Sequence, residues 1–480
     1  IQLGKAQDTT SFSLSQVLDM ASQNSLETFR AKNMYLASYW EHKSFLASQL
    51  PSLDLNLTPV EFRRMMTKRY DFEQNIDIFR EQKTMENYAR LSVTQSIPGL
   101  GGQVYVDTDL SRLVNYGDSD ITTFSATWLR IGVSQPIFGF NQLKWEKRIS
   151  PIKFDIAKKA YLQSQQQTKL KAVQLYFDLL LAGNRKEIAY SNYATSDTLF
   201  KIGSKKIEIL AIDREELLDL ELNKFNAEIE IVKAEQDEEK AMFNLNSFLG
   251  FDAQVIIKTN IPEISDNVEI KAEQAVELAK NNNPAILDLE QKKLEVDKLL
   301  DKAVKESRFN ANLTASFGLN QYSDKLPQAY QNPLDQQVVV FGLQIPILDW
   351  GERKGKKQMA RKNQEVTYIE TKQTLSDFEQ AVVLKVLDFN LQPRIVESSR
   401  KADKIADMSF NMTKIRFMLG KADILKMNNA MKARQSSREM YINSIFTYWK
   451  YYYELQGLTL YNLKTGKDLA EDFEKLIETE

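Results

Sequence analysis

The sequence predicts a mostly helical protein with a smaller strand part, built from one structural unit that occurs twice. Glycine and proline are sparse, with 17 and 11 in 480 residues, so few positions interrupt a helix. Several short runs alternate apolar and polar residues, which is the strand period. The stretch GVSQPIFGF at 132–140 recurs as GLQIPILDW at 342–350, 210 residues later. This repetition indicates a duplication.

Each copy begins with a predicted helical segment. The first, at 13–49, starts at a capping serine and places Leu14, Val17, Leu18 and Ala21 on one face. Its segment QVLDMASQN resembles QAVELAKNN at 274–282, an offset of 258. Asn283-Pro284 then restarts a helix, so the second copy is predicted to carry helices over 271–308.

Six runs between these helices and the proline motifs have the period of strands. Their polar positions carry mostly Asn, Thr, Ser and Asp, which suits the wet face of a soluble antiparallel sheet or the lumen side of a transmembrane barrel. The difference between the offsets 258 and 210 gives the first copy 48 additional residues, around 59–114. The predicted strands cover 52–58, 90–97, 102–113, 124–137, 311–319 and 337–347.

A very long helical region follows each proline motif. The regions 136–210 and 346–420 correspond to roughly 110 Å of helix at the usual rise per residue. Beyond residue 213 the two copies align best at an offset of 207, which predicts three extra residues in the first turn. Return helices are predicted to about 250 and 456. The chain is therefore divided into a first repeat, 1–258, and a second repeat with a C-terminal tail, 259–480.

Composition and motifs argue against several functions. The net charge of −2 gives no reason to expect a nucleic-acid partner. The sequence has no cysteine and one histidine, His42, so no metal site or cofactor is predicted. Acidic pairs such as Glu215-Glu216 fit solvated helix faces, and no nucleophile or phosphate-binding motif occurs. No apolar run approaches the ~20 residues of a spanning helix. We therefore expect a protein that is not an enzyme.

Order, spacing and doubling of these features resemble the TolC-type outer-membrane efflux protein family. The SQPIF junction, the Asn283-Pro284 helix start and the turn RFMLGKADIL at 416–425 carry the resemblance. It implies a homotrimer whose strands close one β-barrel in the lipid of the outer membrane of a Gram-negative-type cell. The β-barrel continues into a long α-helical barrel in the periplasm.

The resemblance also implies a function and partners. The protein is expected to be the passive exit duct of a tripartite efflux or type I secretion system. It is expected to dock to a periplasmic adaptor, or membrane fusion protein, that links it to an inner-membrane transporter. No cofactor is implied.

The resemblance assigns candidate site residues. Leu210 stands where the family begins its periplasmic turn with glycine, and Lys426 and Asn429 replace acidic constriction residues. Asp423 and Lys426 are hypothesised to face the tip lumen, as a gate ring or as partners. The strand-to-helix junctions are Gly132, Pro136, Gly342 and Pro346. The tip, gate or adaptor-contact candidates are Leu210, Asp213, Glu215, Glu216, Gly420, Asp423, Lys426 and Asn429. The lipid-facing strand candidates are Leu313, Phe317, Leu319 and Phe341.

The barrel size and competing functions stay open at this point. The family has four strands per chain, whereas six runs are present here, so a trimer has twelve or eighteen strands. Residues 59–89 are expected to form a loop covering or narrowing the outer mouth. The alternative function is a periplasmic or soluble helical-hairpin scaffold or adaptor, extractable without detergent. A helical pore-forming toxin lacks support because no apolar helical tongue is present, and an enzyme is the weakest candidate.

Overall fold

The computed structural model describes residues 9–117, 119–208, 212–252, 255–264, 268–419 and 421–478. The helices are α1 (Leu14–Asn24), α2 (Leu26–Ala47), α3 (Gln142–Glu208), α4 (Arg214–Leu249), α5 (Ala272–Asn282), α6 (Pro284–Glu306), α7 (Glu352–Met418), α8 (Ile424–Thr459) and α9 (Phe473–Glu478). The strands are β1 (Thr9–Phe12), β2 (Ser52–Asp71), β3 (Ile76–Ile97), β4 (Gly102–Tyr116), β5 (Ile121–Ile137), β6 (Ile256–Thr259), β7 (Asn310–Ser323), β8 (Leu334–Gln344), β9 (Tyr461–Asn462) and β10 (Lys467–Asp468). A short 3₁₀ helix, Leu326–Tyr330, lies between β7 and β8.

The long helices repeat with equal lengths. Helices α3 and α7 each have 67 residues, and the return helices α4 and α8 each have 36. Asp213 caps α4 and Asp423 caps α8, 210 residues apart. The predicted change of offset to 207 is therefore wrong, because the second turn is not shorter than the first. An offset of 207 would align Gly457 with Gly250, the C-cap residue of α4, but Gly457 lies inside α8 and Leu460 holds its C-cap position.

The chain forms two compact units. The helical unit contains residues 1–37, 155–287 and 373–480, and the strand unit contains residues 38–154 and 288–372. The main core of the helical unit buries Tyr176 of α3, Phe389 of α7 and Ile445 of α8. The Tyr176 hydroxyl group donates a hydrogen bond to Asn260 O at 2.6 Å and accepts one from Asn260 N at 3.0 Å, so the large side chain is buried without an unsatisfied polar atom.

The amphipathic helices α1 and α5 complete this core. Ser13 and Gln16 form a reciprocal capping box at the start of α1. The predicted face of α1 is buried, and it consists of Leu14, Val17, Leu18 and Ala21. Next to it, β1 and β6 form a two-stranded parallel sheet.

The strand unit contains one six-stranded antiparallel sheet, in the order β2-β3-β4-β5-β7-β8. All six predicted strands are present, but β2 and β3 are much longer than expected. Residues 59–71 and 76–89 belong to these two strands, so the prediction that 59–89 forms a loop is wrong. Strands β2 and β8 lie at the sheet edges, and neither pairs with a further strand of the described chain.

Candidate functional site

One face of the six-stranded sheet, the apolar face, carries hydrophobic side chains across its full width. Because successive side chains alternate between faces, paired residues in register share a face. One such row runs through the hydrophobic residues Leu53, Val93, Val106, Ile131 and Phe317 and ends at the polar Gln337 of β8. The hydrophobic residues of β8 on this face are Val339 and Phe341. Leu53, Ile131 and Phe317 are 67%, 49% and 52% exposed. A hydrophobic surface of this width is not expected to face water.

The four lipid-facing candidates from the sequence all lie on the apolar face. Leu313 pairs with Phe341, and Leu319 pairs with Leu129 across the other edge of β7. Phe317 belongs to the row already described.

The opposite face, the polar face, carries mostly small and polar side chains. One row on it runs through Ser52, Thr94, Tyr105, Gly132, Ser316 and Val338. The next runs through Asp54, Ser92, Asp107, Arg130, Gly318 and Gln336. The sheet therefore has one apolar and one polar face, as the strands of a transmembrane barrel have.

Four charged residues meet on the polar face and form what we call the Arg–Asp cluster, Arg90, Asp107, Asp109 and Arg130. Arg130 donates two hydrogen bonds to Asp107, from Nε at 2.9 Å and from Nη2 at 2.7 Å. Its Nη2 also lies 3.5 Å from Asp109 Oδ2. Arg90 approaches Asp107 and Asp109 to 4.0 and 3.9 Å. The alternation in the sequence placed the two acids on a polar face, but sheet register is needed to bring the two arginines to them.

Two glycines make room for large side chains on the polar face. A Cβ atom on Gly132 would overlap the ring of Tyr105, its cross-strand partner. On Gly318 it would lie 3.1 Å from Arg130 Cβ and 3.1 Å from Leu129 O. Gly132 lies inside β5, so its role is close packing against Tyr105.

The two junction prolines lie at the ends of strands and not in the first turns of helices. Pro136 is still within β5, paired with Asn312, and Pro346 follows the end of β8 by two residues. Helices α3 and α7 each begin six residues after their proline. The predicted helical regions 136–210 and 346–420 therefore begin six residues too early. Gly342 is likewise a strand residue of β8, and it pairs with Asn312 of β7.

The chain changes direction in the linkers after these strands. Phe138 has φ 68°, and Trp350 and Gly351 have φ 53° and 92°, so each linker contains left-handed backbone. Asn141, which the sequence analysis missed, donates from Nδ2 to Pro98 O at 2.8 Å and accepts from Lys144 N at 2.9 Å. It ties the β3–β4 turn to the start of α3.

The tip candidates lie at the turns between long and return helices. Asp213 Oδ1 accepts from Glu216 N, and Asp423 Oδ1 accepts from Lys426 N, both at 2.7 Å. The Lys426 ammonium group also lies 3.3 Å from Asp423 Oδ2, so these two residues are partners. The Lys426 backbone N–H, followed by its ammonium group, holds the pKa of Asp423 below its ordinary value.

The other tip candidates differ in what the structure describes. Glu215 is exposed and Glu216 is half-buried. Both lie in the first turn of α4, where the helix dipole stabilises negative charge. Asn429 is exposed on α8. Leu210 and Gly420 lie outside the described residues.

A small hydrophobic cluster packs the four long helices together near these turns. It consists of Leu199 from α3, Leu220 from α4, Phe410 and Phe417 from α7, and Met427 from α8. Met427 is fully buried, one residue beyond the partly exposed ion pair of Lys426. The turns are thus fixed to one another by packing as well as by their caps.

Hydrogen bonds and ion pairs between side chains join α3, α7 and α8 farther along the helices from the turns than this cluster. Arg185 donates to both carboxylate oxygens of Glu439, at 3.0 and 3.1 Å. This bidentate contact lowers the pKa of Glu439. Arg434 bridges Asp407 and Ser191, at 2.8 and 3.2 Å. No local sequence pattern predicts these contacts, because the residues that form them are far apart in the chain.

The structure also addresses metal binding and helical membrane spans. Within the described ranges, no group of three or more His, Cys, Asp and Glu side chains is arranged to hold a metal ion. His42 Nδ1 lies 2.9 Å from Ser150 Oγ, and its ring stacks on Phe154. Among the same residues, no helix combines the length and the apolar character needed to cross a membrane.

Solved structures with the same fold are outer-membrane channels. The chain is similar to the Campylobacter jejuni CmeC outer membrane channel, with 15% identity, a TM-score of 0.66 and coverage of 97% of this chain and 88% of that one. It is similar to the Vibrio cholerae outer membrane protein VceC, with 11% identity, a TM-score of 0.64 and coverage of 95% and 97%. It is also similar to the open state of the Neisseria gonorrhoeae MtrE outer membrane channel, with 12% identity, a TM-score of 0.60 and coverage of 95% and 91%.

No protein-family model and no curated protein sequence matches the chain. The structural likenesses nevertheless cover nearly all of it. The predicted TolC-type fold is therefore confirmed.

Proposed function

We propose that this protein is an outer-membrane exit channel that acts as a trimer and transports solutes passively. The observation that carries the proposal is the six-stranded sheet with one continuous apolar face and one polar face. In a transmembrane barrel the apolar face contacts lipid and the polar face lines a water-filled lumen. The likeness to outer-membrane channels supports the same assignment.

The two edge strands support assembly from several copies. Unpaired backbone groups of β2 and β8 are not tolerated in lipid, because nothing there can hydrogen-bond to them. Pairing β8 of one copy with β2 of the next removes every edge in a closed ring. With six strands per chain, a trimer gives a barrel of eighteen strands, and not the twelve of four-stranded protomers.

The helical unit fits a periplasmic duct that docks to other proteins at its helix turns. Glu215 and Lys426 are exposed there, on a base held rigid by the cluster around Met427. We infer that these turns bind a periplasmic adaptor, which connects the channel to an inner-membrane transporter in a tripartite efflux or type I secretion system.

Membrane insertion and assembly test the channel proposal. The protein should require detergent for extraction and should run as a trimer in detergent. The chain has no cysteine, so engineered pairs are the sole thiols. A panel combining Leu55→Cys or Leu57→Cys on β2 with Val339→Cys or Phe341→Cys on β8 should give disulfide-linked trimers. A monomer extractable without detergent, with no linked species, would instead indicate a helical-hairpin scaffold.

Docking needs a separate experiment. A photo-crosslinking residue replacing the exposed Glu215 or Asn429 in the host cell should capture a periplasmic adaptor, whereas one replacing the buried Met427 should not. Capture from Met427 as well as from the exposed positions, or from none of the three, would contradict docking through the exposed side of the turns.

A further inference from the structure

The Arg–Asp cluster is the most buried group of charges on the polar face. The side chains of Asp107 and Asp109 are 5% and 13% exposed, and those of Arg130 and Arg90 are 21% and 39% exposed. Removing charges from water is costly unless they are paired. Ionisable groups at membrane depth are therefore candidates for function.

The acids of the cluster are less exposed than its arginines. The acids lie against the sheet, and the guanidinium groups lie over them toward the open side of the polar face. Arg130 is held by two short hydrogen bonds to Asp107. Within the cluster, the most exposed side chain is thus the cation Arg90, although the four formal charges cancel.

The guanidinium group of Arg90 has hydrogen-bond donors without an acceptor. Its approaches to the carboxylates, at 3.9 and 4.0 Å, are too long for hydrogen bonds. Its Nε atom and the neighbouring Tyr88 hydroxyl group are buried and have no hydrogen-bond partner in the described part of the chain. The donors of Arg90 that a solute can reach are therefore its two terminal amino groups. The Arg90 guanidinium lies 5.3 Å from the centre of the Tyr88 ring, so both groups border the same space. Donors of this kind suit an anion.

We propose that the Arg–Asp cluster forms an anion-attracting belt on the wall of the barrel lumen, with Arg90 as the residue that meets the solute. Asp107 and Asp109 are positioning residues that keep the two guanidinium groups at the wall. The inference rests on the proposed channel function and adds a solute class, anions. Three copies place three Arg90 side chains around the lumen, and rings of charged side chains set the selectivity of many channels.

The test is the reversal potential of purified trimers in planar bilayers under a KCl gradient at low ionic strength, where fixed charges are least screened. Arg90→Gln should lower the Cl⁻/K⁺ permeability ratio by about two-fold or more. Arg90→Lys keeps the charge and should preserve most of the ratio. Arg112→Gln is the matched control, because Arg112 is exposed on the apolar-face side of β4 and lies outside the lumen.

If Arg90→Gln does not assemble into trimers, a second variant tests the same inference. Asp109→Asn leaves both arginines and one acid, so it should raise the Cl⁻/K⁺ ratio. Opposite shifts from the two substitutions are the expected signature. A cluster that serves only to hold the sheet together would lower trimer thermal stability and leave the ratio unchanged, which would overturn the inference.

The outcomes separate this inference from the channel proposal. Wild-type protein that forms no conducting trimer contradicts the proposed function itself. A conducting wild type, together with Arg90→Gln and Asp109→Asn trimers whose permeability ratios equal that of the wild type, contradicts only the anion belt.

Discussion

Asp213 and Asp423 lie 210 residues apart and make the same contact, since each accepts a 2.7 Å hydrogen bond from the backbone N–H three residues later. Both carboxylates satisfy donors at the start of a return helix, which otherwise has no partner for its first N–H groups. The two copies therefore share this capping hydrogen bond at equivalent positions. At both turns the aspartate therefore has a structural role as the N-cap of a return helix.

We expect Asp423→Ala to fray the first turn of α8, while Asp423→Asn keeps it because asparagine caps equally well. Hydrogen exchange at residues 424–427 measures this, and the first turn of α4 is the internal control. The pKa of Asp423 is below its ordinary value of 3.8, so the cap contributes fully above that pH. Its contribution is lost as the pH falls through the lower folded value. Unchanged exchange in the alanine variant would contradict the capping role.

A gate at the tip would make the same residues control conduction. Under the channel proposal, Asp423→Ala and Lys426→Ala should each change single-channel conductance or ion selectivity, because they alter charge at a constriction. Asp213→Ala, at the matching position of the first copy, shows whether both turns contribute. Unchanged conductance and selectivity in both second-copy variants would eliminate the tip ring.

Neighbouring residues of β7 provide a test of which face meets lipid. Phe317 lies on the apolar face and Ser316 on the polar face. Phe317→Lys should cost about 2–4 kcal/mol of folding free energy in a bilayer, whereas Ser316→Lys should cost far less. Urea unfolding of the trimer in vesicles measures both. Equal costs would mean that the two faces do not differ in environment.

Gly132 is predicted to tolerate no side chain while Tyr105 is present. Gly132→Ala should destabilise the sheet by about 1–3 kcal/mol, because the new methyl group overlaps the Tyr105 ring. Adding Tyr105→Ala should recover part of that loss, and a double-mutant cycle measures the coupling. Additive effects would show that the glycine is required for another reason. Gly342→Ala is the control, because its nearest neighbour would be 3.9 Å away.

The ion pair of Arg185 and Glu439 should make a small, pH-dependent contribution. Its arginine side chain is 47% exposed, so solvent screening limits Glu439→Gln to less than about 1 kcal/mol at neutral pH. Because the pKa of Glu439 is lowered from 4.5, the contribution is present above that pH and lost as the pH falls below it. Thermal unfolding of both proteins should therefore converge in acid. A difference that persists unchanged there would contradict this cause.

The sequence predicted the long helices because their patterns depend on neighbouring residues. The distal parts of β2 and β3 were missed for a physical reason. A register shift between Thr58 and Glu61 interrupts the alternation, and charged residues such as Arg63 and Arg64 occupy both faces beyond it. Five ion pairs within this hairpin, such as Arg80–Asp71, replace the hydrophobic pattern that identifies a strand.

The candidate site was predicted to a smaller extent. The residues of the apolar face followed from period-2 alternation, since that signal is local. The Arg–Asp cluster depends on the pairing of β3 with β4 and of β4 with β5, which no short segment encodes. The three-residue difference between the turns was an error of alignment, because the helices of the two copies share few side chains.

Equal turn lengths have a consequence for any protein that binds the helix ends. In a trimer, six return helices would begin at the same aspartate cap after long helices of equal length, so a partner could not tell the ends apart by reach. The side chains differ, however, since the first turn of α4 carries Glu215 and Glu216 and that of α8 carries Lys426. Acidic and nearly neutral ends would then alternate around the ring, because Lys426 pairs with Asp423. A partner with one binding surface repeated six times would meet two electrostatic environments, and three copies that each span a pair of ends would match both.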